Sequence, residues 1–403
     1  MNVAKTSVRR IDRILHISNT DIARDSRILK ELKVASELSD VLVFACGAPK
    51  DAIAGSDCIA GVSYYEQVLL TRKLTIFPRA LRYFFEIFEF TIRTVSCAKS
   101  IRPTVVHCHD TFALPSGWIA KRFFGARLIY DAHELESNKN GQNIVLSKCT
   151  LWIEKLIWEK VDLFISVSGA IIDWYMRELG KKPNVLILNS PEISNDSAKT
   201  VELFDTERYF NRKFNIPSDS VVFVYLGILG SGRGIDTIVS AFADTDDPTH
   251  VVFVGFGPMA RMIQDYSNDF GNIHLHDPVP HNQVVSLVKS ADFGLCLIEN
   301  VSLSDYYCLP NKLFEYAFAG LPVLASKFPE IERVVSAYSL GECCELDCES
   351  VQNAIARLVA RGPIRIDGPL TELSWATQAS RLTLAYEELL ERRIGPSRLA
   401  GSN

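Results

Sequence analysis

The chain has 403 residues and a formal net charge of −5. That length exceeds one ordinary hydrophobic core and points to two domains, and the acidic balance excludes a dedicated nucleic-acid binder, whose surface would be basic. Ten cysteines without repeated CxxC pairs, several inside apolar runs, read as buried free thiols of a reducing cytoplasm; the closest group, Cys343, Cys344 and Cys348, is taken as thiols rather than a metal site.

At the N-terminus, Arg9, Arg10 and Arg13 precede only a short apolar run, Ile14 to Ile17, too short for a secretory core, and no window reaches the length of a membrane span. The expectation is a cytoplasmic protein whose membrane contact, where it has any, is peripheral. Short aliphatic runs at 13–18, 41–45, 105–107, 128–131, 163–167 and 185–188 alternate with segments of helical period. Continuous apolar strands alternating with helices predict a parallel sheet covered on both faces.

Asp25, Ser26 and Arg27 open a helix that continues through Leu29, Leu32 and Leu38, where they can serve as its capping residues. Between 77 and 102, Leu81, Phe84, Phe85, Phe88, Ile92 and Val95 form one stripe, with Arg79, Arg82, Arg93, Lys99 and Arg102 around it. Core packing is the first reading of that stripe and seating on an anionic bilayer the second. His107-Cys108-His109-Asp110 follows the third strand; hydrogen-bonding roles are expected for His109 and Asp110, and no metal. Asp131-Ala132-His133-Glu134 follows the fourth, where a neutral His133 can both donate to and accept from a substrate hydroxyl.

A polar stretch from 189 to 220 marks the linker. The rhythm then restarts at 221–226, 251–254, 273–275, 293–297, 322–325 and 341–346, giving a second doubly wound α/β domain. Ligands in such sheets bind beyond the carboxyl ends of the strands, which predicts a site in a cleft between the two domains.

Gly227-Ile228-Leu229-Gly230-Ser231-Gly232-Arg233-Gly234 follows the first of these strands. Its glycines let the backbone approach a ligand, and Arg233 offers a planar fork suited to a diphosphate. Gly255-Phe256-Gly257-Pro258 is a second close-approach turn or a plain one, and Pro280 is counted with the same donor-contact set. Asp244-Thr245-Asp246 reads as a loop turn rather than a metal-binding motif. Pro310 and Gly320 bracket a short helix with Leu313, Phe314, Ala317 and Phe318 on one side and Asn311, Lys312 and Glu315 on the other. A helix start with a lysine favours a phosphate, and Glu315 can accept bonds from sugar hydroxyls; a solvated polar face is the alternative. Residues 373–393 form an amphipathic helix in need of a partner surface.

In order and spacing these pieces resemble the retaining glycosyltransferases of family four, with the two-domain GT-B fold. The resemblance rests on His107 to Pro115, Tyr130 to Leu135, Val161 to Ser168, Asn189 to Glu192, Tyr225 to Ile235 and Pro310 to Tyr316. It implies an acceptor-side domain at 1–193, a linker at 194–218, a nucleotide-sugar-binding domain at 219–372, a helix at 373–393 returning to the first domain, and a tail at 394–403. It further implies that Glu315 binds the ribose, that Arg233, Lys312 and the helix start at Asn311 hold the diphosphate without a metal or other cofactor, and that His133 lies beside the transferred sugar. Asp25, Arg27, His109, Asp110 and Glu134 fall on the acceptor side. Two positions depart from the family: Tyr307 stands where a second glutamate is usual, and Ile228 where an arginine is usual. The expected partners are a nucleotide sugar and a sugar or lipid-linked acceptor, in assembly of a bacterial surface polysaccharide. The rival readings are a nucleotide-sugar epimerase of the same build and a non-catalytic nucleotide-sugar binder.

Overall fold

A computed structural model describes residues 11–49, 58–59, 61–74, 76–192, 208–243 and 249–391. Asp244 to Asp246, most of the 194–218 linker and the 394–403 tail lie outside them. The chain divides into two compact units, the first ending at Ile187 and resuming at Ala379, the second spanning Leu188–Gln378.

Unit one contains β1 (Asp12–Ile17), α1 (Ser26–Ser36), β2 (Val41–Gly47), β3 (Cys58–Ile59), β4 (Val62–Glu66), α2 (Arg79–Ile101), β5 (Val105–His109), α3 (Asp110–Phe124), β6 (Arg127–Ala132), α4 (Ile144–Ile157), β7 (Leu163–Ser166), α5 (Gly169–Glu178) and β8 (Asn184–Leu186). The sheet order is β3-β4-β2-β1-β5-β6-β7-β8, parallel except for the β3/β4 pair. Strands β3 and β4 were not expected: β4 alternates buried and exposed residues, as an outer strand does, instead of forming a continuous apolar run.

Unit two contains α6 (Tyr209–Phe214), β9 (Val221–Leu226), α7 (Ile235–Ala243), β10 (Thr249–Val254), α8 (Ala260–Asp269), β11 (Ile273–His276), α9 (Val284–Val288), β12 (Phe293–Cys296), α10 (Leu303–Tyr306), α11 (Asn311–Phe318), β13 (Val323–Ser326), α12 (Pro329–Ala337), β14 (Gly341–Cys344) and α13 (Cys348–Arg361). Its sheet order β11-β10-β9-β12-β13-β14 reverses direction between β9 and β12. In unit one the corresponding reversal lies between β1 and β5. Crevices at such switch points are where doubly wound sheets hold ligands.

The last helix, α14 (Trp375–Glu391), belongs to unit one from Ala379 onward. There it buries Leu382, Tyr386 and Leu389.

Helix α2 corrects the reading of its aromatic stripe. Its buried side is Ile87, Phe90, Thr91, Thr94, Ala98 and Ile101, at helical spacing, whereas Leu81, Phe84, Phe85, Phe88 and Ile92 are exposed and Val95 is half-buried. The helix has two apolar faces, and the more aromatic one points to solvent. Among the described residues no helix is long and apolar enough to cross a membrane.

Candidate active site

Strand β5 runs to His109, two residues past its expected end, so His107 and His109 alternate onto one face, their rings stacked 4.5 Å apart. Beside them on β1, in register with His107, stands His16. Its Nδ1 lies 3.0 Å from Nε2 of His109, and its Nε2 lies 3.3 Å from the Tyr386 hydroxyl of α14. That same hydroxyl is 2.8 Å from His107 Nδ1.

Asp131 closes this interior. Arg27 donates to it through Nε and Nη2 at 3.1 and 2.9 Å and to the Ile187 carbonyl through Nη1 at 2.9 Å. Arg27 Nε also faces Glu31 Oε1 at 3.1 Å. Arg27 is only 2% exposed and His109 is fully buried, so neither can line an acceptor surface. Both were expected to do so; they form instead a buried support for the residue that follows β6. Asp25 caps α1, its carboxylate accepting the N–H groups of Arg27 and Ile28. Glu134 is exposed, with Lys139 Nζ 3.8 Å away.

That supported residue is His133. Its Nε2 lies 3.3 Å from Asp131 Oδ2 and 3.2 Å from His109 Nδ1, and its backbone N–H donates to Asp110 Oδ1 at 3.3 Å. Burial alone would push its pKa down, but Asp110 and then Asp131 raise it to about 10. His133 is therefore an imidazolium at neutral pH and donates only, which corrects the expectation of a neutral ring. Sequence reasoning missed this because the two carboxylates that charge it are set by strand-end geometry.

The other imidazoles are neutral: burial first, and then their neighbours, hold His16 and His109 low and His107 at about 3. Burial and then Asp131 raise Glu31 to about 8, against the pull of Arg27. His16, Glu31, His107 and His109 offer ligand atoms within 4.8 Å of one another, and His109, Asp131 and His133 form a second such set. A cation there would have to displace the Glu31 proton and sit next to Arg27. In unit two, burial pushes the Cys343 and Cys344 thiols up to about 12, which makes them poor thiolate ligands at neutral pH.

At the unit-two switch point the glycine loop leaves β9 and is fastened to the end of β12. Glu299 N–H donates to the Gly232 carbonyl at 3.1 Å, and Gly234 N–H donates to Glu299 Oε1 at 3.1 Å. Glu299 was not singled out from sequence, although its place just past an apolar strand was a usable signal. Gly227, Gly232 and Gly234 have φ of 129°, 82° and 66°. Gly230 is buried, Ser231 exposed and Arg233 half-buried. Gly255 is no plain turn: a Cβ there would lie 1.9 Å from the Gly227 carbonyl oxygen, so it lets the second loop pack directly on the first.

Helix α11 contradicts the reading of a solvated polar face. Lys312 is 9% exposed and Glu315 6%, and only Asn311 projects outward at the helix start. Lys312 Nζ sits 3.8 Å above the Tyr225 ring and has no hydrogen-bond partner among the described residues. Glu315 Oε1 lies 3.5 Å from Nδ1 of the exposed His281, in the turn that Pro280 opens. Burial pushes the Cys296 thiol, at the end of β12, up to about 11; Lys312 and Arg233 pull it down and Glu315 raises it. The three charged side chains thus act on one point. Ile228 is exposed, and Tyr307 follows α10, half-buried.

Two doubly wound units of this topology define the class of GT-B glycosyltransferases. The model described as Glycosyltransferase Family 4 matches residues 38–189, and that of Glycosyl transferases group 1 matches residues 220–361. The chain belongs to glycosyltransferase family four.

Similar solved structures include a sucrose-phosphate synthase from Thermosynechococcus elongatus, 19% identical with a TM-score of 0.73, covering 94% of this chain and 100% of that one. HepE of Anabaena in complex with UDP and glucose is 13% identical with a TM-score of 0.62, covering 95% and 99%. WaaG, a glycosyltransferase involved in lipopolysaccharide biosynthesis, is 14% identical with a TM-score of 0.63, covering 93% and 99%. No curated relative matches the chain by sequence.

Proposed function

We propose that this glycosyltransferase moves a sugar from a nucleoside diphosphate to an acceptor hydroxyl with retention of anomeric configuration, in assembly of a cell-surface polysaccharide or glycolipid. The observation that carries this reading is Lys312: a buried ammonium over an aromatic ring, with no hydrogen-bond partner among the described residues, at the first turn of α11. Burying a charge without a hydrogen-bonding partner is expensive, and an anion relieves the cost. Arg233 supplies a second cation and the helix start a partial positive charge, so the diphosphate that leaves is met by fixed groups without a metal. The crystallised HepE complexes hold UDP and glucose or UDP-glucose, which agrees with a uridine nucleotide as first donor to try.

Glu315 binds the ribose in this reading, and His281 swings aside to admit it. His133 acts as a donor-only cation toward a substrate oxygen. The protein works in the cytoplasm at the inner face of the membrane, where the exposed Phe84, Phe88 and Ile92 of α2 enter the bilayer surface, while Arg82 and Arg93 stay paired with Glu86 and Glu89 along the helix. Phe84→Glu with Phe88→Glu is expected to abolish co-sedimentation with anionic vesicles; unchanged co-sedimentation excludes that face.

The deciding experiment offers UDP-, GDP- and dTDP-sugars with lipid-diphosphate and soluble acceptors and reads the product anomer by NMR. Transfer with retention supports the proposal, and absence of transfer to every acceptor overturns it. Interconversion of donors without acceptor would instead establish an epimerase. Glu315→Ala is expected to raise the donor KM chiefly and Arg233→Ala to lower kcat more.

A further inference from the structure

Behind His133, four fully buried side chains, His109, His16, Tyr386 and His107, form a file of hydrogen bonds. A neutral imidazole has one donor and one acceptor nitrogen, so fixing the hydrogen at one end of the file fixes all the others. Asp131 fixes the end at His133. Arg27 donates to both of its oxygens, as to a carboxylate, and a carboxylate only accepts. His133 Nε2, 3.3 Å from Asp131 Oδ2, therefore carries a hydrogen.

The other hydrogens follow link by link. The facing Nδ1 of His109, 3.2 Å from that N–H, must be bare, so His109 Nε2–H donates to His16 Nδ1 at 3.0 Å. His16 Nε2–H then donates to the Tyr386 oxygen at 3.3 Å, which turns the Tyr386 hydrogen to His107 Nδ1 at 2.8 Å. Burial holds the Tyr386 phenol well above its ordinary pKa, so that hydrogen stays in place. His107 Nε2–H is left facing Glu31 Oε2 at 3.6 Å and Asp131 Oδ2 at 3.7 Å, too far for a hydrogen bond but on the side of the Asp131 charge. The opposite sense fails at both ends. It sets two N–H groups head-on between His109 and His133, and it turns a bare His107 nitrogen to the Asp131 carboxylate.

We infer that Tyr386, on the last helix, is a positioning residue for His133: its hydroxyl, working through His16, keeps a bare His109 nitrogen against the inward N–H of that ring and leaves Nδ1–H for a substrate oxygen. His133 Nδ1 is 3.9 Å from Asp110 Oδ1, outside hydrogen-bond distance. The substrate contact rests on the transfer reading above, whereas the file is testable without it.

Long-range proton–nitrogen NMR correlations on the full chain at neutral pH distinguish bare from protonated ring nitrogens. His16, His107 and His109 are expected as Nε2–H tautomers and His133 with both nitrogens protonated; a hydrogen on His109 Nδ1 overturns the inference. Tyr386→Phe keeps the ring and removes the link. His109 is then expected to populate both tautomers, and the His133 titration to move down by about half a unit or more, because its inward hydrogen loses a fixed acceptor. The charged and titratable groups around His133, which are Asp110, Asp131, Arg27, Glu31 and His109, are all retained in that variant, so lost packing alone leaves the titration in place.

His16→Leu cuts the same file one link nearer and should give the same shift, and the double variant should shift no further than the larger single one. Melting temperature and UDP affinity report on folding. A His133 titration unmoved in both variants overturns the inference. Where transfer is found, Tyr386→Phe is expected to lower kcat about tenfold or more with the donor KM unchanged. An unchanged kcat overturns the role in transfer and leaves the proposed function standing. The expected tautomers and shift, without transfer to any acceptor, leave the file standing and remove the proposed function.

Discussion

The Lys312 ammonium lies 3.8 Å above the ring of Tyr225 and has no hydrogen-bond partner among the described residues. A cation held in this way destabilises the free protein and strengthens the bound state, and the two effects separate in one substitution. Lys312→Met keeps the volume and removes the charge. The apoprotein is expected to melt at the same temperature or a few degrees higher. Affinity for UDP or another nucleoside diphosphate should fall about thirtyfold, the equivalent of one charge-assisted hydrogen bond of about 2 kcal/mol. Calorimetry and thermal melts on the same samples check it; lower stability with unchanged nucleotide affinity would make Lys312 a structural residue.

Glycines 227 and 255 face each other, yet substitution should affect them unequally. Gly227 has φ 129° but open space where a Cβ would go, so Gly227→Ala meets backbone strain alone, about 1 kcal/mol. At Gly255 the same methyl group meets a carbonyl oxygen at 1.9 Å that no side-chain rotation can clear. Strain and overpacking together put Gly255→Ala above about 3 kcal/mol. Urea unfolding of the two variants measures the difference.

Much of the fold was legible because twelve of the strands are short apolar runs between helical segments, a pattern that buried parallel strands impose on sequence. The small antiparallel β3/β4 edge is not built that way, and it escaped. The site was legible where a backbone feature marks it, as in the glycine loop and the Pro310 helix start. It was not legible where burial decides. Arg27 and His109 look like surface hydrogen-bonders in sequence, and only the crossing of β1, β5 and α1 shows them sealed behind His133. The α2 stripe misled for the opposite reason, since two apolar faces share one helix and periodicity does not tell which is covered.

The charge on His133 can be titrated. Its folded pKa of about 10 lies above the ordinary imidazole value of 6.5, so its contribution to stability is fully present below pH 6.5 and is lost as pH rises through 10. The alkaline limb of the transfer rate should fall near the same pH. Asp110 is the first of the carboxylates that raise it, and Asp110→Asn is expected to move both the imidazole titration and the alkaline limb down by about one unit or more. Histidine C–H resonances followed from pH 6 to 11 give the first quantity and a pH–rate profile the second. A His133 resonance that titrates at 6 to 7 in the wild type would show a neutral ring.

Glu31 shifts in the same direction with the opposite consequence, because for a carboxyl the raised form is the neutral one. Burial and then Asp131 hold its folded pKa near 8 against an ordinary 4.5, so the native state binds the extra proton and stability falls as pH climbs from 4.5 through 8. Two cations pull the other way, Arg27, already shared with Asp131, and the His133 imidazolium, and they do not outweigh burial and Asp131; His16, His107 and His109 are neutral. Gln at position 31 keeps the shape of the protonated acid without a titrating proton. Glu31→Gln should therefore melt close to wild type at pH 5 and above it at pH 9, with a flatter dependence between. Because Glu31 belongs to unit one and the glycine loop to unit two, UDP affinity should not change. A variant that melts below wild type at pH 9 would mean that Glu31 is ionised in the native protein, and that Arg27, or a cation held with His16, His107 and His109, keeps it so.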